Sequence, residues 1–201
     1  EAKTGAGGTI ASNLVAKAKP DGYTLIMQTG GHAVSGALYK SLPYDTVEDF
    51  DWVSTVTTFP FVIGVRAEHP AQTLAELIER AKREPGKVTF TSVGVGSTQH
   101  LTGELLQSVT KTQLTHVPYK GAAAALNDLL GGHIDLFIDA SSGLIAPGQA
   151  GKVRLLGVTD DKRLPALPDM PTFAEQGVSG VIGSTWAGLL APAGTDPAVV
   201  Q

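Results

Sequence analysis

Apolar positions recur along the chain at two spacings, and the spacing changes at breaks rich in glycine and proline. After the run Gly5-Ala6-Gly7-Gly8, residues Ile10, Leu14, Val15 and Ala18 return at helical intervals, predicting a turn followed by a helix. Pro20-Asp21-Gly22 reads as a turn, residues 23–27 as a short buried strand, Thr29-Gly30-Gly31-His32 as a loop and residues 33–40 as a helix. The run Phe61-Val62-Ile63-Gly64-Val65 predicts a further strand. Thr73 and Glu76 form a capping-box pattern ahead of Leu74, Leu77, Ile78 and Ala81, so a helix runs to about Glu84, where Pro85-Gly86 stops it. A strand at 87–93, the turn Gly94-Val95-Gly96-Ser97 and a helix carrying Leu101, Leu105, Leu106 and Val109 come next. The remainder alternates in the same way, with strands at 114–117, 134–138 and 155–158 and helices at 121–130 and 144–150. Such alternation is the pattern of an α/β protein on a largely parallel sheet.

A chain of 201 residues suffices for one large domain or two small lobes. With 42% hydrophobic and 17% charged residues it has the balance of a globular protein. The formal net charge of -4 and the scattering of the Lys and Arg residues exclude a nucleic-acid partner, which requires a basic stripe. The absence of cysteine excludes disulfides, cysteine-ligated zinc and thiol catalysis. No stretch approaches the ~20 apolar residues that span a bilayer. The opening Glu1-Ala2-Lys3-Thr4-Gly5 has neither an initiator Met nor the pattern of a signal peptide, and reads as a processed or truncated start.

The segment from Gly94 to His100 is the leading candidate for chemistry. It follows a predicted strand and opens a predicted helix, and ligands of open α/β sheets bind outside the carboxyl ends of the strands. A helix start adds a partial positive charge suited to a carboxylate, and glycines allow close backbone approach. In the plain alternative, Ser97 only caps its helix. A dinucleotide site is rejected, because the sixth position of the Gly-x-Gly pattern is Gln99 and no acidic residue lies at the required distance. No P-loop pattern occurs. None of His32, His69, His100, His116 and His133 pairs with another at metal-ligand spacing, so no metal and no cofactor is expected. An esterase-type α/β hydrolase is the rival reading, since Ser97, His100 and several Asp are present. It lacks a G-x-S-x-G elbow, and Ser97 and His100 are not expected to form a catalytic pair. Tyr119-Lys120-Gly121 and Asp139-Ala140-Ser141 also follow predicted strands, so three loops rich in Gly and Ser would converge on one sheet edge.

Five segments together resemble the Bug (TctC-like) family of extracytoplasmic solute receptors: Gly5-Ala6-Gly7-Gly8-Thr9, Pro20-Asp21-Gly22-Tyr23-Thr24-Leu25, Val117-Pro118-Tyr119-Lys120-Gly121, the stretch from Leu129 to Leu136, and the stretch from Leu164 to Thr172. The resemblance spans essentially the whole chain. It implies a fold like the type II periplasmic binding proteins, with two α/β lobes joined by two crossing strands near 59–65 and 186–191. Residues 1–58 and 188–201 would form a partial first lobe and residues 59–187 the second. It further implies periplasmic capture of a small carboxylate for a membrane permease of the tripartite tricarboxylate type, without catalysis. The carboxylate would be a dicarboxylate, a tricarboxylate, an acidic amino acid or an aromatic acid, held largely by backbone N–H groups and hydroxyls. The implied ligand-binding residues are Thr29, Gly30 and His32 on the first lobe, and Gly96, Ser97, Thr98, Tyr119, Asp139, Ala140 and Ser141 on the second. None of the five arginines falls in these loops, and Lys120 is the nearby cation. Family members begin with a further strand and ligand-contacting loop and continue beyond the position of Gln201, so the first lobe is expected to be incomplete and binding by this chain weak.

Overall fold

The computed structural model describes residues 1, 3 and 5–201; Ala2 and Thr4, part of the opening read above as a processed or truncated start, lie outside the described residues. Two compact units are formed, one from residues 1–58, 95–98 and 185–201 and the other from residues 59–94 and 99–184.

The larger unit is organised around the apolar run Phe61-Val62-Ile63-Gly64-Val65. All five residues are buried, so this part of β2 (Phe50–Arg66) sends apolar side chains to both faces of a sheet. The remaining strands are β3 (Thr89–Ser92), β4 (Thr115–Pro118), β5 (Leu136–Ala140) and β6 (Val153–Val158), and the order is β6–β2–β5–β3–β4. β3 pairs parallel with β4 and β5, whereas β2 pairs antiparallel with β5 and β6. Four strands therefore point one way and β2 is reversed between two of them. A run buried on both faces reads the same in either direction, which is why the pattern of residues carried no sign of the reversal.

Helices α3 (Leu74–Arg83), α4 (Thr98–Thr110), α5 (Ala122–Leu130) and α6 (Ser141–Gln149) supply the partner layers. Phe61, Ile63, Phe90, Leu136 and Ile138 pack with Leu74, Leu77 and Ala81 of α3 and Leu106 of α4. Val62, Phe137 and Val158, offset by one residue and so facing the other way, pack with Ala125 and Leu129 of α5 and Leu144 of α6. The start of α3 obeys its sequence signal. The Thr73 hydroxyl accepts from the Glu76 N–H at 3.2 Å, and the Glu76 carboxylate reaches back to the Gln72 N–H at 2.6 Å.

The smaller unit holds α1 (Thr9–Ala16), β1 (Ile26–Thr29), α2 (Gly31–Leu38), the first half of β2, most of β7 (Ser184–Pro192) and α7 (Pro197–Val200). β1 pairs antiparallel with β7, from Ile26 opposite Leu190 to Thr29 opposite Ala187, and β7 neighbours β2. Val15, Ile26, Tyr44, Phe50 and Leu190 form its core. The first strand begins three residues later than expected. Tyr23 is 94% exposed, and its N–H is taken by the Asp21 side chain at 3.1 Å, so the turn at Asp21 holds the first of the residues read as buried strand outside it.

Unit boundaries differ from the expected lobe boundaries in two places. Residues 95–98 join the smaller unit, where the chain at Gly96 is close to Leu38 and that at Ser97 close to Gly31. Residues 185–187 do so as well, because the Thr185 hydroxyl accepts the Gly30 N–H at 3.0 Å and Ala187 lies in the β1–β7 register.

Candidate functional site

In the larger unit, the carboxyl ends of β3, β4 and β5 share one sheet edge because these strands are parallel. That edge gathers Ser92 at the end of β3 and Gly94 after it, Tyr119 to Gly121 after β4, and Asp139 to Ser141 where β5 passes into α6. Gly94 and Gly121 have φ of 142° and 150°, backbone conformations open to glycine, and no atom lies within 4 Å of where a Gly121 side chain would begin. Ala140 leads α6 with no side chain capping the helix. Asp139 is buried. Burial pushes its carboxyl up, opposed by the Ala140 amide and by the Gln99 side chain at 3.5 Å. Gly143 leaves room for this carboxylate, since any side chain there would overlap it. Tyr119 is committed locally: its hydroxyl donates to Asp128 at 2.5 Å, which pushes the phenol up to about 12, and its N–H donates to the Ser92 carbonyl at 2.9 Å. Of the implied residues, then, Tyr119, Asp139, Ala140 and Ser141 lie along one edge, and Tyr119 has its hydroxyl hydrogen engaged.

The smaller unit brings together Thr29, Gly30, His32, Gly96, Ser97 and Thr98. A side chain at Gly30 would stand 2.9 Å from both the Thr185 hydroxyl and the Thr98 methyl, so the loop after β1 and the 95–98 segment pack at glycine distance. Gly96 has φ of 80°. His32 is buried in a polar chain in which the Gln28 amide donates to the Ser12 hydroxyl at 2.6 Å and Ser12 is 3.3 Å from His32 Nδ1. Its Nε2 is 2.9 Å from the Thr46 carbonyl, an acceptor, so Nε2 carries the hydrogen. Burial lowers its pKa against the opposing Thr46 contact and so favours the neutral ring. Tyr44 stacks on it and Phe50 meets it edge-on, so His32 serves the core of this unit. A cavity of about 320 Å³ beside it is lined by His32, Phe50, Trp52, Trp186 and Leu190 among others.

The whole chain, residues 1–201, matches the tripartite tricarboxylate transporter family receptor. The chain belongs to this family. Among solved structures, the periplasmic binding protein BugD is 38% identical with a TM-score of 0.93, covering 100% of this chain and 67% of its own. The R. palustris protein Rpa4515 with adipate is 38% identical with a TM-score of 0.94 (98% and 67% covered). MatC from Rhodopseudomonas palustris, with bound malate, is 34% identical with a TM-score of 0.90 (98% and 67% covered). The chain spans between 57% and 61% of the length of the first curated relatives it matches. Among the described residues, no helix of this receptor-family chain is long and apolar enough to cross a membrane, and no three acidic or histidine side chains gather to hold a metal.

One group of polar residues in this family member was not anticipated. His116 Nε2 lies 2.7 Å from the Ser92 hydroxyl, and the His116 ring stacks on His100 at 4.0 Å and on Phe90 at 4.9 Å. The pairing depends on the β3–β4 register, which sets Phe90 opposite His116, and no local sequence spacing reports it.

Proposed function

We propose that this chain is the ligand-binding part of a periplasmic receptor that captures a small dicarboxylate and presents it to the membrane permease of a tripartite transporter. The observation that carries the reading is the shared edge of β3, β4 and β5. Glycine turns and helix starts converge there, a setting in which backbone N–H groups and helix dipoles favour an anion. Arginine is absent from the loops concerned, which suits recognition through backbone amides and hydroxyls. Adipate and malate, held by two relatives of the same fold, both carry two carboxylates, and this favours a dicarboxylate over the aromatic acids.

Hydrolysis finds no support. The family and its neighbours are receptors and binding proteins. Ser92 and His116 are within hydrogen-bond distance, yet Ser92 is fully buried and its hydroxyl is engaged by Gly94, so no ester could reach it.

Thermal unfolding with adipate, malate and their dimethyl esters tests the reading. A free dicarboxylate at 100 times its dissociation constant stabilises by about 2.7 kcal/mol, and the neutral esters do not. Equal shifts with acid and ester, or no shift across a broad carboxylate panel, would overturn it.

A further inference from the structure

We propose that His116 is a positioning residue for the turn at Gly94: through Ser92 it fixes the two peptide planes that flank this glycine, and so sets the direction in which the chain leaves β3. The Ser92 hydroxyl lies 2.9 Å from the Gly94 carbonyl and accepts the Gly94 N–H at 3.1 Å. One of these groups belongs to the peptide before Gly94 and the other to the peptide after it, so a single oxygen clamps both. A hydroxyl has one hydrogen to give. With that hydrogen directed to the Gly94 carbonyl, the remaining contact at 2.7 Å requires His116 Nε2 to be the donor. The serine is thereby held in the orientation that serves the turn, which is the reverse of the orientation a catalytic base would impose on a nucleophile.

Packing holds the ring in place. His116 packs against both Phe90 and His100, with centroids 4.9 and 4.0 Å away and interplanar angles of 28° and 25°, and those two rings also stack on each other at 6.3 Å. Burial, assisted by His100, lowers its pKa to about 4, so it donates as a neutral imidazole near pH 7. The ionisable group stacked on it is His100 of α4, whose Nε2 is 3.6 Å from the Glu104 carboxylate. β4 therefore contributes to the turn of a neighbouring strand, an arrangement that requires the parallel register of Phe90 with His116 and Ser92 with Pro118.

The consequence for ligand rests on the proposed anion-binding role of the 94–98 segment, whereas the clamp itself is measurable without ligand. Hydrogen exchange of the Gly94 amide is compared in the wild-type chain, S92A, H116F, H116Q and S92A/H116F. H116F keeps an aromatic stack and removes the donor, and H116Q restores a donor. The expected result is that S92A and H116F each speed Gly94 exchange about tenfold or more, that the double variant is no faster than S92A, and that H116Q stays near wild type. Wild-type exchange in H116F, or losses that add fully in the double variant, would overturn the assignment. Should H116F fail to fold, the nitrogen-15 shifts of the wild-type His116 ring near pH 7 decide: the clamp requires the neutral tautomer with hydrogen on Nε2, and hydrogen on Nδ1 sinks the proposal. Calorimetry with adipate adds the functional arm, in which H116F binds about tenfold more weakly than wild type and H116Q does not. Absence of adipate binding by the wild type would count against the receptor reading, while Gly94 exchange would still judge the clamp.

Discussion

The backbone at Gly96 is suited to glycine. Its φ of 80° costs a residue with a side chain about 1–2 kcal/mol, and a Cβ would stand 2.6 Å from a Leu38 methyl. Gly96→Val is expected to weaken dicarboxylate binding by a factor of ten or more, equivalent to about 1.4 kcal/mol. Unchanged affinity by calorimetry in a folded variant would remove this segment from the site. Asp135 makes a different kind of prediction. Burial alone would raise its pKa, but hydrogen bonds from His69 and from the amide and hydroxyl of Thr89 override burial and hold it at about 2. A depressed carboxyl contributes stability that is present above its unfolded value, near 3.9, and is lost as pH falls through the folded value. Asp135→Asn should therefore cost about 1–2 kcal/mol near pH 7 and progressively less between pH 4 and 2, as followed by urea unfolding. A difference from wild type that does not change with pH would show that the carboxylate charge is immaterial. Residue type alone gave part of this picture. The turn at 94–96 was readable from its glycines, which have φ of 142° and 80°, whereas the commitments of His32 to Thr46 and of Tyr119 to Asp128 depend on side-chain placement that no motif encodes.

At the scale of elements, α4 shows packing overriding propensity. Gly103 lies inside this helix, where Ala would ordinarily gain up to about 1 kcal/mol. Its missing side chain makes room for the fully buried Phe90 ring, and any Cβ would overlap that ring. Overpacking of this kind costs about 1–3 kcal/mol, so Gly103→Ala should destabilise by about 1–2 kcal/mol in urea unfolding. Equal or greater stability would mean that the ring relocates freely. Elements with a local signal were legible: the capping pair Thr73 and Glu76 marked the start of α3. The first half of β2 was not. From Trp52 to Phe59 it is rich in Thr and mostly exposed or half-buried, without the apolar run that revealed its second half. The reversed direction of β2 and the Ser92–His116 contact both depend on strand pairing, a property of two segments at once.

For the whole molecule, family membership rests on residues 1–201, and the implied ligand residues divide between the two units. The family pattern was legible because its five segments occur in order along the chain; the assignment of residues 95–98 and 185–187 to the smaller unit was not, since it follows from contacts at Leu38 and Thr185. The central claim is that a small dicarboxylate is held by the glycine turns and helix starts. It is tested most directly by titrating adipate into the isotopically labelled chain and following backbone amide shifts, which register even weak binding. The account predicts saturable changes concentrated along the shared edge of β3, β4 and β5, at Gly94, Gly121, Ala140 and Ser141, absent when the dimethyl ester is used. Shifts that rise linearly to tens of millimolar without saturating, or that cluster away from these residues, would contradict it.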